Sequence, residues 1–332
     1  SGMTDALFLT SEAVDDLATP ADYVAAVRDG YREVGEGAPA EPRTLLPSGD
    51  PPGMLTTYVA MLPEVGAMGG YTYAAGFAER DAWFLTPLFD AETGEPLAVI
   101  DGASMNPFKT GAAGAVAVDA LARPDASTVA VIGSGPQARG QLRTTATVRD
   151  LTGVRVFSPT PANRESFADE FAERLDADVT AVSSADAALA DADVVITATT
   201  ASEPVIADAD VEPGTHVTAM GQYAADKHEL PPELVARATY VPDLTARATR
   251  DAGSFIAARE AGLVSDDDLE VELGDVVAGS HPGRTSDDEV TVFDSGGTGI
   301  ETVAAAHMLY ERAREAGRGT PLSIAPASEA LT

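Results

Sequence analysis

The chain has 332 residues, of which 53 are acidic and 21 are basic, and its formal net charge at pH 7 is −32. Such a composition lacks the basic patch that DNA or RNA binding needs, and no apolar run approaches the roughly 18 residues required to cross a bilayer. The absence of cysteine excludes a disulfide framework, a thiol nucleophile and thiolate metal ligands.

The acidic residues are spread between ordinary apolar segments, a pattern that argues against disorder. Repulsion at this charge density is tolerated in concentrated salt, because the Debye length falls to about 3 Å at 1 M. We therefore expect a protein from the salt-rich cytoplasm of a halophilic microbe. The start, Ser1-Gly2-Met3, looks like the remnant of tag cleavage before a native Met, and no signal peptide follows it.

The length predicts two domains, and the pattern of the sequence changes near residue 123. Before that point, LATPADYVAAVRDGYREVGEG predicts a helix, with Pro20 in its first turn, apolar residues three or four apart and glycines at its end. Segments rich in Tyr, Phe, Val and Thr follow, with turns at 47–53 and 91–94. They predict antiparallel strands.

From Thr128 onward, short apolar runs alternate with helical patterns such as ANRESFADEFAERL. This alternation predicts an α/β fold in which helices cross over between buried parallel strands. The last long segment, GIETVAAAHMLYERAREAG, predicts one amphipathic helix that ends at Gly317. The runs that we read as strands are STVAVIGSG, GVRVFSP, DVTAVSS, DVVITATT, THVTAMG and ATYVPD.

A glycine-rich turn joins the first of these strands to a helix. Gly133 permits a tight turn, Gly135 removes a side chain that would block a pyrophosphate, and Ala138 lets the helix pack closely on the strand. Amides at the start of the helix then face the phosphates. The motif predicts a dinucleotide site, and the alternative is a turn without a ligand. The cofactor-binding residues predicted here are Gly133, Ser134, Gly135, Pro136, Gln137 and Ala138.

The end of the second strand bears on which dinucleotide is bound. An NAD site usually carries an acidic residue there, which holds the ribose hydroxyls, whereas this chain has Ser158. No carboxylate repels a 2′-phosphate, and Ser158, Thr160 and Arg164 are candidates to bind one. We expect NADP(H) in preference to NAD(H), while the alternative for Arg164 is an ordinary surface charge.

Two linked stretches carry a resemblance to a known family: GEPLAVIDGASMNPFKTGAAGAVAVDALARPDASTVAVIGSGPQARGQL, and FDSGGTGIETVAAAHMLYERA near the end. Together with DVVITATTASEPVI and DKHEL, they resemble the ornithine cyclodeaminase and mu-crystallin family, which includes archaeal alanine dehydrogenases, ketimine reductases and cyclic imino acid reductases. The resemblance implies a Rossmann domain, a doubly wound parallel sheet, at residues 122–296. It would be inserted in an α+β domain for substrate binding and dimerisation, residues 1–121 and 297–332, and would act in a homodimer.

The resemblance also implies roles for single residues. Arg43, in EPRTLLP, matches an arginine with which the family binds the substrate carboxylate, and Lys109 stands where the family has a second one. A small anion needs fixed cations, and Arg43 can hold it with two hydrogen bonds. The alternative for Lys109 is a surface lysine. The further positions expected at the cofactor are Thr197, Ala198, Thr199, Gly221, Ser295, Gly296 and Gly297.

Two departures from the family pattern change the chemistry expected. Tyr71 stands where amino acid-converting members have a lysine, and Tyr223 stands where they have the catalytic aspartate, with Asp226 and Glu229 further on. A tyrosine of ordinary pKa, about 10, is a poor base and a usable proton donor. We therefore expect Tyr71, Tyr223 and Lys109 as catalytic residues, although both tyrosines could instead only pack and hydrogen-bond the backbone.

These observations favour an NAD(P)-dependent oxidoreductase that acts on a C=N bond, either reducing a small carboxylated imine or oxidising the matching amino acid. Two alternatives are the conversion of ornithine to proline and ammonia, and a nicotinamide-dependent binding or sensor protein with little catalysis. A zinc enzyme is disfavoured because His216, His228, His281 and His307 show no paired spacing, so we expect no metal. Candidate pocket-lining residues are Met61, Trp83 and Phe108.

Overall fold

The structure is a computed structural model that describes residues 4–78, 81–222 and 224–330. Its strands are, in chain order, β1 (Thr4–Leu9), β2 (Ala40–Gly49), β3 (Pro52–Leu62), β4 (Ala67–Phe77), β5 (Asp81–Asp90), β6 (Pro96–Asp101), β7 (Thr128–Ile132), β8 (Gly153–Phe157), β9 (Asp178–Ala181), β10 (Val194–Thr197), β11 (His216–Ala219), β12 (Thr239–Pro242), β13 (Thr291–Asp294) and β14 (Thr320–Ile324). Its helices are α1 (Ser11–Val14), α2 (Pro20–Gly35), α3 (Asn106–Leu121), α4 (Pro136–Thr145), α5 (Pro161–Arg174), α6 (Ala185–Leu189), α7 (Pro232–Arg237), α8 (Thr245–Asp251), α9 (Gly253–Glu260), α10 (Leu273–Ala278) and α11 (Gly299–Glu315).

The chain forms two compact units. The terminal unit consists of Ser1–Lys109 together with Thr298–Thr332, and the central unit is Thr110–Gly297. The chain therefore leaves the terminal unit in the first turns of α3 and returns to it just before α11.

The terminal unit is built on one mixed sheet. Within the described residues its strand order is β14-β1-β6-β5-β4-β3-β2, in which β1 and β6 are parallel and every other neighbouring pair is antiparallel. The antiparallel strands predicted from the sequence are thus present as β2 to β6. The edge partners β1 and β14 were not predicted, because each is a short run with no turn motif to mark it.

Helices α2 and α11 pack on each other and α11 lies against β3 and β4. The predicted start of α2 is confirmed: Thr19 and Asp22 form a capping box, and Pro20 is the first helical residue. Close packing depends on glycine at the start of α11, because a Cβ at Gly299 would lie 2.5 Å from the backbone of Val59. The helix ends before Gly317, which has a positive φ of 68° as expected for a terminating glycine.

The two faces of this sheet differ because side chains alternate along each strand. On the face covered by α11, Tyr58, Tyr71 and Tyr73 are buried. The opposite face, which we call the apolar face, is open in the single chain. It carries seven large apolar side chains that are between 37% and 76% exposed: Leu46, Leu55, Val59, Met61, Trp83, Leu85 and Phe89.

The central unit is a doubly wound parallel sheet with strand order β12-β13-β11-β10-β7-β8-β9. Separate clusters of buried apolar residues fill its two faces. The predicted Rossmann fold is confirmed, and all six predicted strands are present. The structure adds β13, between β11 and β12. Six strands of this sheet end in one register row, which consists of Phe157, Ile132, Thr197, Ala219, Asp294 and Pro242.

Two arginines bind backbone carbonyls at the C-terminal end of α3. Arg149 donates to the carbonyl oxygens of Val118, at 3.1 Å, and Ala122, at 3.2 Å. Arg284 donates to the carbonyl of Leu121 at 2.8 Å and to that of Gly214 at 3.2 Å. These bonds join α3 to loops that come much later in the chain. In the described ranges, no helix has the length and apolar character needed to span a membrane.

Candidate active site

The turn between β7 and α4 has the geometry that a dinucleotide requires. Gly133 has a φ of +123°, and a Cβ there would lie 2.2 Å from the carbonyl oxygen of Ala198. Gly135 caps α4 without a side-chain hydrogen bond, and a Cβ on it would meet no atom within 4 Å. The first turn of α4 contains no acidic residue. Uncapped amides and a clear approach over glycine therefore fit the pyrophosphate of a dinucleotide.

Small residues at the start of α3 let α4 pack against it. A Cβ at Gly111 would lie 2.5 Å from the carbonyl oxygen of Gly140, and one at Gly114 would lie 1.9 Å from Oε1 of Gln141. Thr144 donates to the carbonyl of Gly111 at 2.7 Å. The glycines of TGAAGA thus set how closely α4, whose first turn forms the phosphate site, approaches α3.

The residues predicted to choose between NAD and NADP lie together at the end of β8. Arg164 donates from Nη1 to the carbonyl of Ser158 at 3.0 Å, and its guanidinium lies over the ring of Phe157. The hydroxyl of Ser158 is buried and has no hydrogen-bond partner among the residues described. Thr160 caps α5 without using its side chain. This end of the strand therefore presents hydroxyls and a guanidinium in place of a carboxylate.

A buried carboxylate organises the ends of β10 and β11. Oε2 of Glu229 accepts from the amide of Thr199 at 2.8 Å and from its hydroxyl at 2.7 Å. Oε1 accepts from the amide of Gly221 at 2.8 Å and from the hydroxyl of Thr197 at 3.1 Å. Burial raises the pKa of Glu229, and these hydrogen bonds oppose that rise. Sequence reasoning noticed Glu229 but gave it no role.

The loop Ser295–Gly297, which follows β13, lies over a buried ionic cluster. Arg247 pairs with Asp243 and with Asp294, at 3.0 Å for the latter, and Asp243 accepts the amide of Gly296 at 3.0 Å. A Cβ at Gly296 would lie 2.7 Å from Nη1 of Arg247, so a larger residue there would have to displace this guanidinium from its two aspartates. Sequence reasoning missed Arg247, whose i,i+4 spacing from Asp243 was the available signal.

Within the terminal unit, Lys109 is buried and does not behave as a surface lysine. It is 2% exposed, and Nζ donates to the hydroxyl of Thr302 at 2.8 Å. Nζ also lies over the ring of Tyr71, 3.9 Å from its centroid, in a cation–π contact. Burial lowers the pKa of Lys109 to about 8, and the charge of Glu301 opposes this effect. The amine therefore changes its protonation state close to neutral pH.

Tyr71 is one member of a buried aromatic cluster. Its ring stacks on Tyr58, at 4.6 Å between centroids, and on Tyr73, at 5.4 Å. Burial and the neighbouring Tyr58 and Tyr73 raise the pKa of Tyr71 well above 10, so its hydroxyl keeps its proton. Arg43 is also buried, and its positive charge acts on Tyr58, where it opposes the pKa rise caused by burial. The structure thus brings Lys109 and Tyr71 into contact, with Arg43 acting on the same cluster.

The other side chains predicted at the substrate do not join this cluster in the part of the chain that the structure describes. Tyr223 lies outside the described residues. Met61 and Trp83 belong to the apolar face and therefore point away from Tyr71, while Phe108 stacks on Tyr23 at 5.4 Å. Among the residues with a described position, no group of three or more His, Asp or Glu side chains could hold a metal ion.

We expect the amine of Lys109 to titrate near pH 8, because the folded protein disfavours a buried ammonium. Only one other lysine is present, Lys227, so NMR of protein labelled at its lysine side chains would follow both groups. The signal that disappears in Lys109→Met belongs to Lys109. A midpoint near the ordinary lysine value of 10.5 would contradict the burial described here.

Comparison with known proteins agrees with this architecture. The sequence pattern of the ornithine cyclodeaminase/mu-crystallin family matches residues 4–317. A Delta(1)-pyrroline-2-carboxylate reductase from Bacillus cereus is 36% identical over 233 residues, 70% of this chain and 71% of that protein. The structure of Thermococcus litoralis Delta(1)-pyrroline-2-carboxylate reductase in complex with NADH and L-proline is 30% identical, with a TM-score of 0.90 over 95% of this chain and 100% of that chain. An archaeal alanine dehydrogenase dimer with bound NAD is 31% identical, with a TM-score of 0.89 over 96% of this chain and 99% of that chain. The chain therefore belongs to the ornithine cyclodeaminase/mu-crystallin family.

Proposed function

We propose that this protein uses NAD(P)H to reduce the C=N bond of a small carboxylated imine, and in reverse oxidises the matching amino acid. The observation that carries the proposal is the ammonium of Lys109, buried in the terminal unit against Tyr71. It supports the proposal because an imine nitrogen must gain a proton when its carbon gains a hydride. Two similar proteins are named as Delta(1)-pyrroline-2-carboxylate reductases, so cyclic imino acids are the first substrates to test.

In this proposal, residues of the terminal unit supply the proton and bind the substrate carboxylate. A bound nicotinamide cofactor supplies the hydride to the imine carbon. Lys109, with a pKa of about 8, is protonated at pH 7 and gives its proton to the imine nitrogen. Arg43 pairs with the substrate carboxylate through its guanidinium. In the reverse direction, the neutral amine of Lys109 accepts a proton from the amino acid nitrogen, which requires a pH above 8.

In this proposal Tyr71 donates a hydrogen bond to the substrate nitrogen and does not act as a base. Because burial keeps its pKa well above 10, its hydroxyl holds the proton in either direction of the reaction. Its ring also faces the ammonium of Lys109, 3.9 Å from the centroid, and so fixes where that proton is presented. Tyr223 remains a second candidate donor on the family pattern alone.

We expect NADPH oxidation when pyrroline-2-carboxylate is added in molar KCl, with kcat/KM falling as the pH rises above 8. The fall is expected because Lys109 loses its proton there. Lys109→Met should remove this pH dependence and lower turnover about 100-fold, and Tyr71→Phe should lower turnover at least about tenfold. The measurement is NADPH absorbance across a pH series.

Tyr73→Phe is the matched control, since it removes a hydroxyl from the same aromatic cluster and should leave turnover nearly unchanged. Wild-type kinetics in Tyr71→Phe would remove Tyr71 from the mechanism. Tight cofactor binding with no turnover of any imine would favour the binding or sensor alternative, and release of ammonia from ornithine would favour cyclodeamination.

The preference for NADP(H) is part of the proposal. The unpartnered hydroxyl of Ser158 and the guanidinium of Arg164, held 3.0 Å from the carbonyl of Ser158, offer a 2′-phosphate both hydrogen bonds and positive charge. Such charge-assisted bonds are about twice as strong as neutral ones. These two groups support NADP(H) because the guanidinium of Arg164 can form an ion pair with a 2′-phosphate but not with the neutral 2′-hydroxyl of NAD(H).

We expect Arg164→Ala to lower kcat/KM for NADPH at least about tenfold, because one charge-assisted bond to the phosphate is lost. The value for NADH should change little. Steady-state kinetics with each cofactor measures this, and Arg174→Ala, at an exposed position of the same helix, is the control. An equal loss with both cofactors would contradict a role in binding the 2′-phosphate.

We further propose that two chains pair through the apolar face. Monomeric proteins rarely expose a contiguous apolar patch of this kind, and the archaeal alanine dehydrogenase similar to this chain is described as a dimer. A net charge of −32 on each chain opposes pairing, and concentrated salt screens that repulsion. The pair is therefore expected to be most stable in the salt-rich cytoplasm predicted from the sequence.

Light scattering in molar KCl should give twice the mass of one chain. Leu85→Glu should give the mass of a single chain, because it places a charge among the exposed side chains of the apolar face. Leu263→Glu is the control, since Leu263 in the central unit is 47% exposed, close to the 52% of Leu85. A wild-type protein with the mass of one chain, or equal dissociation in both variants, would overturn the proposal.

A further inference from the structure

The chemistry proposed above uses no residue of the segment 224–230, yet this segment contributes a carboxylate that is 2% exposed, Glu229. The carboxylate accepts four hydrogen bonds, two at each oxygen, from Thr197, Thr199 and Gly221. Its donors are neutral amides and hydroxyls. Burying a carboxylate costs free energy, and here the compensation comes entirely from hydrogen bonds to the ends of two strands.

The four donors lie where two strands of the central sheet end side by side. Thr197 is the last residue of β10 and pairs in register with Ala219, the last residue of β11. Gly221 follows two residues later. Because the two strands end in the same row, one carboxylate reaches both of the loops that follow them.

The loops are packed so tightly that their positions depend on one another. A Cβ at Gly221 would lie 2.3 Å from the amide nitrogen of Thr199 and 2.5 Å from Oε2 of Glu229. A Cβ at Gly133 would lie 2.2 Å from the carbonyl of Ala198. The backbone at Ala198 is therefore held between the phosphate turn on one side and the loop tied to Glu229 on the other.

We propose that Glu229 is a positioning residue for the nicotinamide half of the cofactor. It fixes the backbone of Thr197–Thr199, which the family resemblance places beside the nicotinamide ribose, and that of Gly221, a further position expected at the cofactor. Because β10 and β11 lie on the other side of β7 from β8, it leaves the pyrophosphate to the turn at Gly133–Ala138 and the adenine half to the end of β8. This inference rests on the proposed use of NAD(P)H. It does not depend on which imine is reduced.

Glu229→Gln tests the proposal because it keeps the shape of the side chain but replaces one acceptor oxygen with an NH2 group. That group cannot accept bonds from the amides and hydroxyls around it. Titration calorimetry would compare NADPH with 2′-phospho-ADP, and NADH with ADP. Each shorter ligand keeps the adenosine and the pyrophosphate but lacks both the nicotinamide and its ribose. We expect NADPH or NADH to bind about tenfold more weakly, and the ligand without nicotinamide to keep its affinity within about twofold.

Retained affinity for the ligand without nicotinamide shows at the same time that the central unit is folded. Glu233→Gln is the matched control, because it removes the same charge from an exposed position four residues away and should change neither affinity. Should Glu229→Gln fail to fold, Thr197→Val removes one of the four hydrogen bonds from a fully buried threonine and should show the same difference, smaller in size.

Equal weakening of both kinds of ligand would overturn the proposal, because Glu229 would then support the central unit as a whole. No weakening of either would also overturn it, because Glu229 would then have no effect on cofactor binding. The outcome is separate from the catalytic proposal. A wild-type protein that binds NADPH but reduces no imine would refute the proposed reaction, and the affinities of wild type and Glu229→Gln for the ligands could still be compared. Failure to bind any of the four ligands would overturn both.

Discussion

The predicted cofactor site depends on one constraint, the common register of the parallel strands in the central unit. Six strands end in the row from Phe157 to Pro242, so six loops begin at the same edge of the sheet. Strand ends leave amides and carbonyls without ladder partners, and buried groups of this kind need hydrogen bonds. Glu229 supplies them for β10 and β11, and Asp243 with Arg247 for β13. The same polar groups that complete the fold therefore shape the edge at which the phosphate turn lies.

Both units show that the effect of burial on the pKa of a cationic side chain depends on the charges around it. Lys109 lies against the ring of Tyr71 and the hydroxyl of Thr302, and burial lowers its pKa to about 8 although the charge of Glu301 opposes this effect. Arg247 is equally buried but pairs with two aspartates, and its pKa rises. The first arrangement yields a group that exchanges protons near neutral pH, and the second yields a permanent charge that holds a loop.

The sequence allowed prediction of those features that depend on neighbouring residues. The helix from Pro20, the turn at Gly133 and the strands of the central unit follow from local spacing, and the structure contains them. Strand β13 was missed because it is only four residues long and the irregular segment 279–290 separates it from the nearest helix, α10. The contact of Lys109 with Tyr71 was also out of reach, because it joins two residues that are far apart in the chain.

The carbonyl-bound arginines bear on how such an acidic chain would respond to concentrated salt. An ion pair between surface groups loses most of its attraction when mobile ions crowd around it. Arg149 and Arg284 donate to neutral backbone oxygens at 2.8 to 3.2 Å, and Arg149 also pairs with the exposed Asp119 at 3.3 Å. The contacts that tie α3 to distant loops therefore consist largely of hydrogen bonds to backbone carbonyls, which concentrated salt screens less than it screens exposed ion pairs.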